Sequence, residues 1–300
     1  MPESGEEPRS SFKSLRQDFV VLTKARLSVL VVLTAAFGYV VATKSAEAFS
    51  WSPFLHMLFG TTLAAFGASV FNQLMEVEAD AKMRRTSDRP LPANRLPKPL
   101  AFILGWLLCA FGLIHLGVKV NMLSAAMAAA TLLTYLFIYT PLKQVSSSNT
   151  IVGAVSGAIP PLIGWAAGGQ PLLGWGAAFL FGLLFFWQLP HFAAINWMYR
   201  EEYMRGGFVM WSNDDVSGAK TGKIGLLSAA LTVLLCIVFS IFTPVMGIWG
   251  GVVLGIPGVI LFLLAYRFLK SGERSDAKKL FLYTLVYLPI VMIGSYLVWR

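Results

Sequence analysis

Asn72, Glu76 and Asp80 stand four residues apart, between an apolar run and a cluster of bases. On a helix each step of four turns about 400°, so the three side chains share one face over about 12 Å. One amide and two carboxylates on one face form a donor set for a hard cation. Mg2+ is held through one or two carboxylates together with substrate phosphates. Lys82, Arg84, Arg85 and Arg89 follow at once and would bring positive charge to the same phosphates. Glu78 falls on the other side of such a helix, where a nearby arginine would solvate it. The competing reading is a charge-mixed loop in water. Asn72 argues against it, because an amide one turn inside an apolar span is costly without a partner.

A second polar stretch runs from His191 to Gly207 and places Glu201 and Glu202 beside Arg200 and Arg205. Two such segments on one face would clamp a diphosphate between two metal ions. The bridged oxygens lose charge repulsion, and pyrophosphate becomes a better leaving group. Between them, Tyr139 and Lys143 are four apart around Pro141 and can reach a phosphate at that edge. A snorkelling lysine with an interfacial tyrosine is the plainer alternative. His191 follows Pro190 at the end of the sixth apolar run. It is either a hydrogen-bonded interfacial residue or a group that orients a metal-bearing substrate. Gly153 and Gly157 permit close helix contact. Pro160 and Pro161 break the helix at membrane depth, which calls for protein or a cavity over the freed backbone.

These residues need a scaffold, and the composition says which kind. Of 300 residues, 56% are hydrophobic and 13% charged, with a net charge of +9. Soluble domains carry about 25% charged residues. The mean hydropathy of +0.67 confirms an integral membrane protein. A crossing helix needs ~20 apolar residues. Nine runs qualify, at about 27–43, 53–74, 99–117, 121–141, 150–168, 172–192, 224–243, 248–266 and 280–299. They are helices, since each apolar segment must satisfy its own backbone. The expected architecture is an all-α polytopic bundle with a tail at 1–22 and one membrane domain at 23–300.

Of the 24 lysines and arginines, all but Lys44, Lys119 and Arg300 fall on the face of the N-terminus, which makes that face cytoplasmic. Every acid but Glu47 falls there too. Acids contribute little to topology, so their concentration asks for a second explanation. Glu3, Glu6 and Glu7 fit neither a secretory signal nor a transit peptide. Cys109 and Cys236 lie in apolar runs without metal or redox spacing. The positive charge serves orientation and phosphate, with no nucleic acid as partner. A transporter is disfavoured, because no acid occurs from Arg89 through Arg200 or from Val216 through Gly272.

The stripe Asn72-x-x-x-Glu76-x-x-x-Asp80, followed by Lys82-Met-Arg-Arg-Thr86 and Arg89-Pro-Leu-Pro92, resembles the first motif of the UbiA superfamily of intramembrane prenyltransferases, in the form of its heme-farnesylating branch. Tyr139-Thr-Pro-Leu-Lys143, Gly157-Ala-x-Pro-Pro-Leu-Ile-Gly-Trp165, Trp187-Gln-x-Pro-His-Phe192 and Tyr199-Arg-Glu-Glu-Tyr203 with Gly206-Gly207 resemble that branch as well. The resemblance covers roughly residues 20–300.

It implies a nine-helix bundle around a central cavity with a polar cytoplasmic cap, in a bacterial cytoplasmic (inner) membrane. It implies farnesyl diphosphate bound through two Mg2+ ions and transferred, with addition of water, to a vinyl group of heme B, giving heme O. Asn72, Glu76, Asp80 and Glu202 are the implied metal ligands, with Glu201 beside them. Lys82, Arg84, Arg85, Arg89, Tyr139, Lys143 and Arg200 are the implied diphosphate partners. His191 would contact the heme, as iron ligand or propionate partner. Trp187, Trp197 and Tyr199 offer rings to an allylic cation. Implied partners are farnesyl diphosphate, heme B and the lipid bilayer, with heme A synthase or terminal-oxidase assembly factors beyond them.

Position 202 departs from the family pattern, with Glu where Asp is expected; a carboxylate is kept with altered reach. His191 and Glu202 stand near the positions where aromatic-acid prenyltransferases carry acids, which favours heme over a benzoate. The alternatives are a prenyltransferase acting on a quinone precursor, a transporter, and a heme-handling membrane protein without catalysis.

Overall fold

The computed structural model describes residues 12–46 and 49–300. Residues 1–11 of the expected tail, and Glu47, lie outside the described residues. In chain order the helices are α1 (Phe12–Leu22), α2 (Ala25–Ala46), α3 (Trp51–Met75), α4 (Val77–Lys82), α5 (Lys98–Lys119) and α6 (Met122–Leu133). A π-helical stretch, Thr134–Tyr139, leads to the turn α7 (Thr140–Leu142). Then come α8 (Asn149–Ala158), α9 (Pro160–Ala167), α10 (Trp175–Met198), α11 (Arg200–Arg205), α12 (Ala219–Phe242), α13 (Ile248–Ser271) and α14 (Arg274–Val298). No strand occurs among the described residues.

Nine of these segments are long and apolar enough to cross a membrane, and they coincide with the nine runs read from the sequence. Four extend further than hydropathy indicates. α12 begins at Ala219, α14 begins at Arg274, α10 runs on to Met198 and α13 to Ser271. Pro190 lies inside α10 and does not end it, because in a membrane bundle neighbouring groups re-satisfy the backbone a proline frees. His191 is therefore two turns inside a helix rather than at the end of a span.

The fifth span is the most enclosed of the nine. Its two halves, α8 and α9, meet at Ile159 beside the proline pair. Small residues let it lie against α2 backbone to backbone. A Cβ added to Gly164 would overlap the Ala35 carbonyl oxygen, and one added to Gly38 would overlap that of Pro161. Gly153 accepts the Tyr139 ring and Gly157 the Gln188 amide, so the small-residue spacing serves packing.

Next to α8, the π-helical stretch widens the end of the fourth span. Thr140 Oγ1 donates to the Tyr135 carbonyl at 2.8 Å, five residues back. Single π turns recur at functional sites because they re-aim the residues that follow. Here they carry Tyr135, Tyr139 and Lys143 to one cavity.

Gly164→Leu should cost about 3 kcal/mol by overpacking the α2–α9 contact. Gly255→Ala, which opens onto free space, should be neutral or stabilising. Melting curves of the two purified variants in one detergent compare them directly.

Candidate active site

α3 ends at Met75, and Glu76 leaves helical geometry at φ −103°, ψ 11°. The hydrogen-bond ladder nevertheless continues through the kink. Glu76 N donates to the Asn72 carbonyl at 3.1 Å and Asp80 N to the Glu76 carbonyl at 2.8 Å. The stripe of four-residue spacing survives, with Asn72, Glu76 and Asp80 exposed by 0%, 5% and 1%.

Each member of the stripe has its own cation. Lys143 Nζ donates to Glu76 Oε1 at 2.7 Å, and Arg89 Nη1 to Asp80 Oδ2 at 2.6 Å. Lys24 Nζ donates to Asn72 Oδ1. The three cations come from three separate parts of the chain. Lys24 lies in the break between α1 and α2 at φ +46°. Arg89 sits in the loop after α4, where Thr86 Oγ1 donates to the Asp80 carbonyl at 2.9 Å. Lys143 follows the π-helical stretch, with its Nζ 4.5 Å from the centre of the Tyr139 ring. Asn72 Nδ2 completes the link by donating to Thr140 Oγ1 at 3.2 Å.

Glu76 and Lys143 hold each other in their ionised forms. Burial alone would raise the pKa of Glu76, but Lys143 and Lys24 outweigh it and hold the carboxyl below its ordinary value. Burial opposes the charge on Lys143, yet Tyr139 and Glu76 keep its pKa above that of a free lysine. Lys24 is pushed down to about 7, first by burial and then by Arg89.

These groups surround a cavity of about 250 Å3. Lys24, Arg85, Arg89 and Lys143 supply its positive wall, and Tyr135, Tyr139 and Tyr203 its rings. Leu27, Phe192 and Ile195 are its apolar side. Phe208 and Met210 also line it, and their loop is tied down where Val209 N donates to the Lys143 carbonyl at 2.7 Å. Asn149 Nδ2 donates to the Val209 carbonyl at 2.7 Å from the other side.

Asn196 also lines this cavity. It is 4% exposed, and its Nδ2 has no hydrogen-bond partner. A buried amide donor without a partner is costly unless something arrives to accept from it. Lys24, Asn196 and Tyr203 were absent from the sequence-based set. The only available signal was helical spacing, since Phe192, Ile195 and Asn196 fall at i, i+3 and i+4 on one face of α10.

The remaining candidates lie elsewhere. Arg84, Arg200, Glu201 and Glu202 line a second cavity of about 620 Å3, and Arg85 lines both. Arg200 Nη1 donates to the Asp215 carbonyl at 2.7 Å. Glu202 Oε1 pairs with Arg205 at 2.8 Å, while its Oε2 is buried without a partner. Lys82 and Glu78 are exposed, and Lys82 lines neither cavity. His191 faces α14: its Nδ1 is 2.8 Å from Thr284 Oγ1, and its ring stacks on Trp187 at 5.4 Å. The other two histidines pair with each other, His56 Nδ1 lying 3.1 Å from His115 Nε2.

No group of three or more His, Cys, Asp or Glu converges among the described residues. The stripe fits Mg2+ all the same. Glu76 and Asp80 each give one oxygen to a cation and have a second, and Mg2+ takes few protein ligands when substrate phosphates complete its shell.

Fold and site together define a polytopic helical membrane protein with a cation-walled cavity and buried carboxylates at one face. The model of the UbiA prenyltransferase family matches residues 31–287, and the chain belongs to this family. It is 39% identical over 284 residues to the protoheme IX farnesyltransferase of Opitutus terrae, covering 92% of each chain. It is 37% identical over 274 residues to the mitochondrial protoheme IX farnesyltransferase of Arabidopsis thaliana, covering 91% of this chain and 63% of that one. Among solved structures, a digeranylgeranylglyceryl phosphate synthase superposes with a TM-score of 0.76 at 15% identity, over 94% of this chain and 97% of that one. A UbiA homolog from Archaeoglobus fulgidus bound to GPP and Mg2+ gives 0.66 at 12% identity, over 92% and 99%. The expected all-α, nine-span UbiA fold is therefore the observed one.

Lys143→Met should leave Glu76 buried and unpaired, at a cost of about 3 kcal/mol. Adding Glu76→Leu should return most of that stability, which denaturation of the single and double variants will reveal. Asn196→Ala should leave the melting midpoint unchanged or raised, since it deletes an orphaned donor. The same change should weaken binding of a prenyl diphosphate about tenfold, as titration calorimetry would measure.

Proposed function

We propose that this protein transfers the farnesyl group of farnesyl diphosphate to a vinyl group of heme B, giving heme O and diphosphate. Identity of 39% to a protoheme IX farnesyltransferase over nearly the whole chain carries the choice of substrates. The buried, cation-paired stripe of Asn72, Glu76 and Asp80 supports the chemistry. In this reading residues 23–300 are one membrane domain in a bacterial cytoplasmic membrane, with the N-terminus and both cavities at its cytoplasmic face. Heme A synthase or terminal-oxidase assembly factors would receive the product.

Asn72, Glu76 and Asp80 would hold Mg2+, which when bound neutralises diphosphate oxygens. Binding exchanges partners within the site. Lys24, Lys143 and Arg89, each on an oxygen of the stripe, would turn to the phosphate oxygens when the diphosphate binds. Arg85 adds a fourth cation. Glu202, with Glu201 beside it, would hold a second Mg2+, and the buried, unpartnered Oε2 of Glu202 supports that ligand. Tyr203, next in sequence, already lines the diphosphate cavity.

The bond between the allylic carbon and oxygen breaks, and diphosphate leaves with the electron pair into this positive wall. Leu27, Phe192 and Ile195 keep bulk water from the allylic cation, and the rings of Tyr135, Tyr139 and Tyr203 present π faces to it. The vinyl terminus forms the new carbon–carbon bond. Water then adds to the cationic carbon left beside the porphyrin and loses a proton, leaving the hydroxyethylfarnesyl group.

Mass spectrometry of heme from bacteria lacking their own heme farnesylation decides the reading. Expression of this chain should produce heme O, and Glu76→Gln or Asp80→Asn should lower kcat/KM by about 10²–10³. Chelation should abolish turnover in membranes and added Mg2+ restore it. A prenylated benzoate with heme B unchanged would move the chain to the quinone-precursor reading.

A further inference from the structure

Glu201 and Glu202 apart, the second cavity is not explained by the diphosphate. At about 620 Å3 it lies in the range of small-molecule sites. Five guanidinium groups stand in its wall: Arg84, Arg85, Arg200, Arg205 and Arg274. Of these five, only Arg205 is paired with a carboxylate of the described residues, that of Glu202. Two of the others lie over aromatic rings, Arg200 at 4.6 Å from the Trp197 ring and Arg85 at 5.5 Å from that of Tyr199. A guanidinium resting on a ring is pre-organised for a planar anion; Arg200 also gives Nη1 to the Asp215 carbonyl, which leaves the rest of its fork for a ligand. Unpaired guanidinium groups around one opening are a site for a ligand with more than one carboxylate or phosphate oxygen pair.

Position narrows the ligand. Arg85 lines both cavities, so an occupant of the second shares a wall with the diphosphate. Below the opening, α10 and α14 form an aromatic seam. His191 lies seven residues from Met198, about 10.5 Å deeper along α10, between Trp187 and Phe281. Heme B is an amphiphile, with two carboxylates on one edge and an apolar remainder. Holding those carboxylates at the polar face points the macrocycle, and its vinyl groups, into the bilayer. The prenyl diphosphate is anchored the same way next door.

We propose that the second cavity binds the paired carboxylates of the macrocyclic acceptor, with Arg84, Arg200 and Arg274 as their partners. Arg85 stands between the two bound anions. This assignment rests on the heme reading above. It gives the arginines of α11 and of the start of α14 a role in acceptor binding, separate from that of the α11 carboxylates toward the prenyl donor.

The test uses the full chain in nanodiscs, with heme B and its dimethyl ester as alternative acceptors. Wild type should prefer the free acid. Arg84→Gln and Arg274→Gln, both at exposed positions, should each raise the KM for heme B about tenfold. The KM for farnesyl diphosphate and for the ester should not move, and that constancy also reports an intact fold. Equal use of acid and ester by wild type would overturn the assignment, as would a heme KM indifferent to the arginines. A rise in the farnesyl diphosphate KM instead would return the cavity to the diphosphate. If the changes abolish a dependence on anionic lipid and leave the acid preference intact, the cavity holds a lipid phosphate, and the assignment falls. Absence of any heme O from wild type would sink the functional reading itself, a result distinct from all of these.

Discussion

Lys143 and Glu76, 2.7 Å apart and both largely withdrawn from water, set the terms for the rest of the site. Neither charge is tolerable alone at the edge of an apolar bundle. The same holds for Asp80 beside Arg89, whereas Lys24 has the neutral amide of Asn72 as its hydrogen-bond partner. Carboxylates able to carry a metal ion must be buried enough to exclude water, and burial demands a counter-charge while no metal is present. Each cation placed there meets that demand. On the proposed reading it is also the group that would face the departing diphosphate, so one set of residues would stabilise the empty site and the leaving group in turn.

That arrangement depends on how closely the chain can be drawn together. The cations arrive from the α1–α2 break, from the loop after α4 and from the end of the fourth span, and each must reach one stripe at the end of α3. The α2–α9 contact, backbone against backbone at Gly38 and Gly164, holds α2 and with it Lys24. The π turn from Thr134 to Tyr139 brings Tyr135, Tyr139 and Lys143 round to the cavity. In a bilayer the surrounding helices leave the backbone no solvent to turn to.

The scaffold was legible because a crossing helix writes itself as ~20 apolar residues, and nine such runs suffice to place every span. The stripe was legible because it is local: Asn72, Glu76 and Asp80 report their common face through spacing alone, even across the kink at Glu76. Lys24 was not, because its partner lies 48 residues away and nothing in spacing links them. Asn196 was hidden inside an apolar-looking stretch. Its meaning comes from being buried beside the cavity without a partner. His191 was placed at a span end because proline usually terminates helices. α10 continues instead, and the helical turn that sends Phe192, Ile195 and Asn196 to the cavity sends His191 to α14. The bases after Asp80 looked like one cluster, yet the loop divides them, with Arg89 turning inward, Arg84 to the second cavity and Lys82 outward.

This division bears on how one face can hold two anionic groups without confusing them. A diphosphate is compact and highly charged; the cavity that suits it is small, has ammonium as well as guanidinium groups, and keeps carboxylates for a metal ion. The neighbouring cavity is larger, lined almost wholly by guanidinium among its cations, and backed by indole and phenol rings. Ammonium is a point charge with freely turning donors, whereas guanidinium is a planar fork. The two walls therefore differ in geometry more than in sign. On the proposed reading, that difference in donor geometry would let both ligands be anchored at the same level of the membrane, with their apolar parts extending in parallel toward its interior.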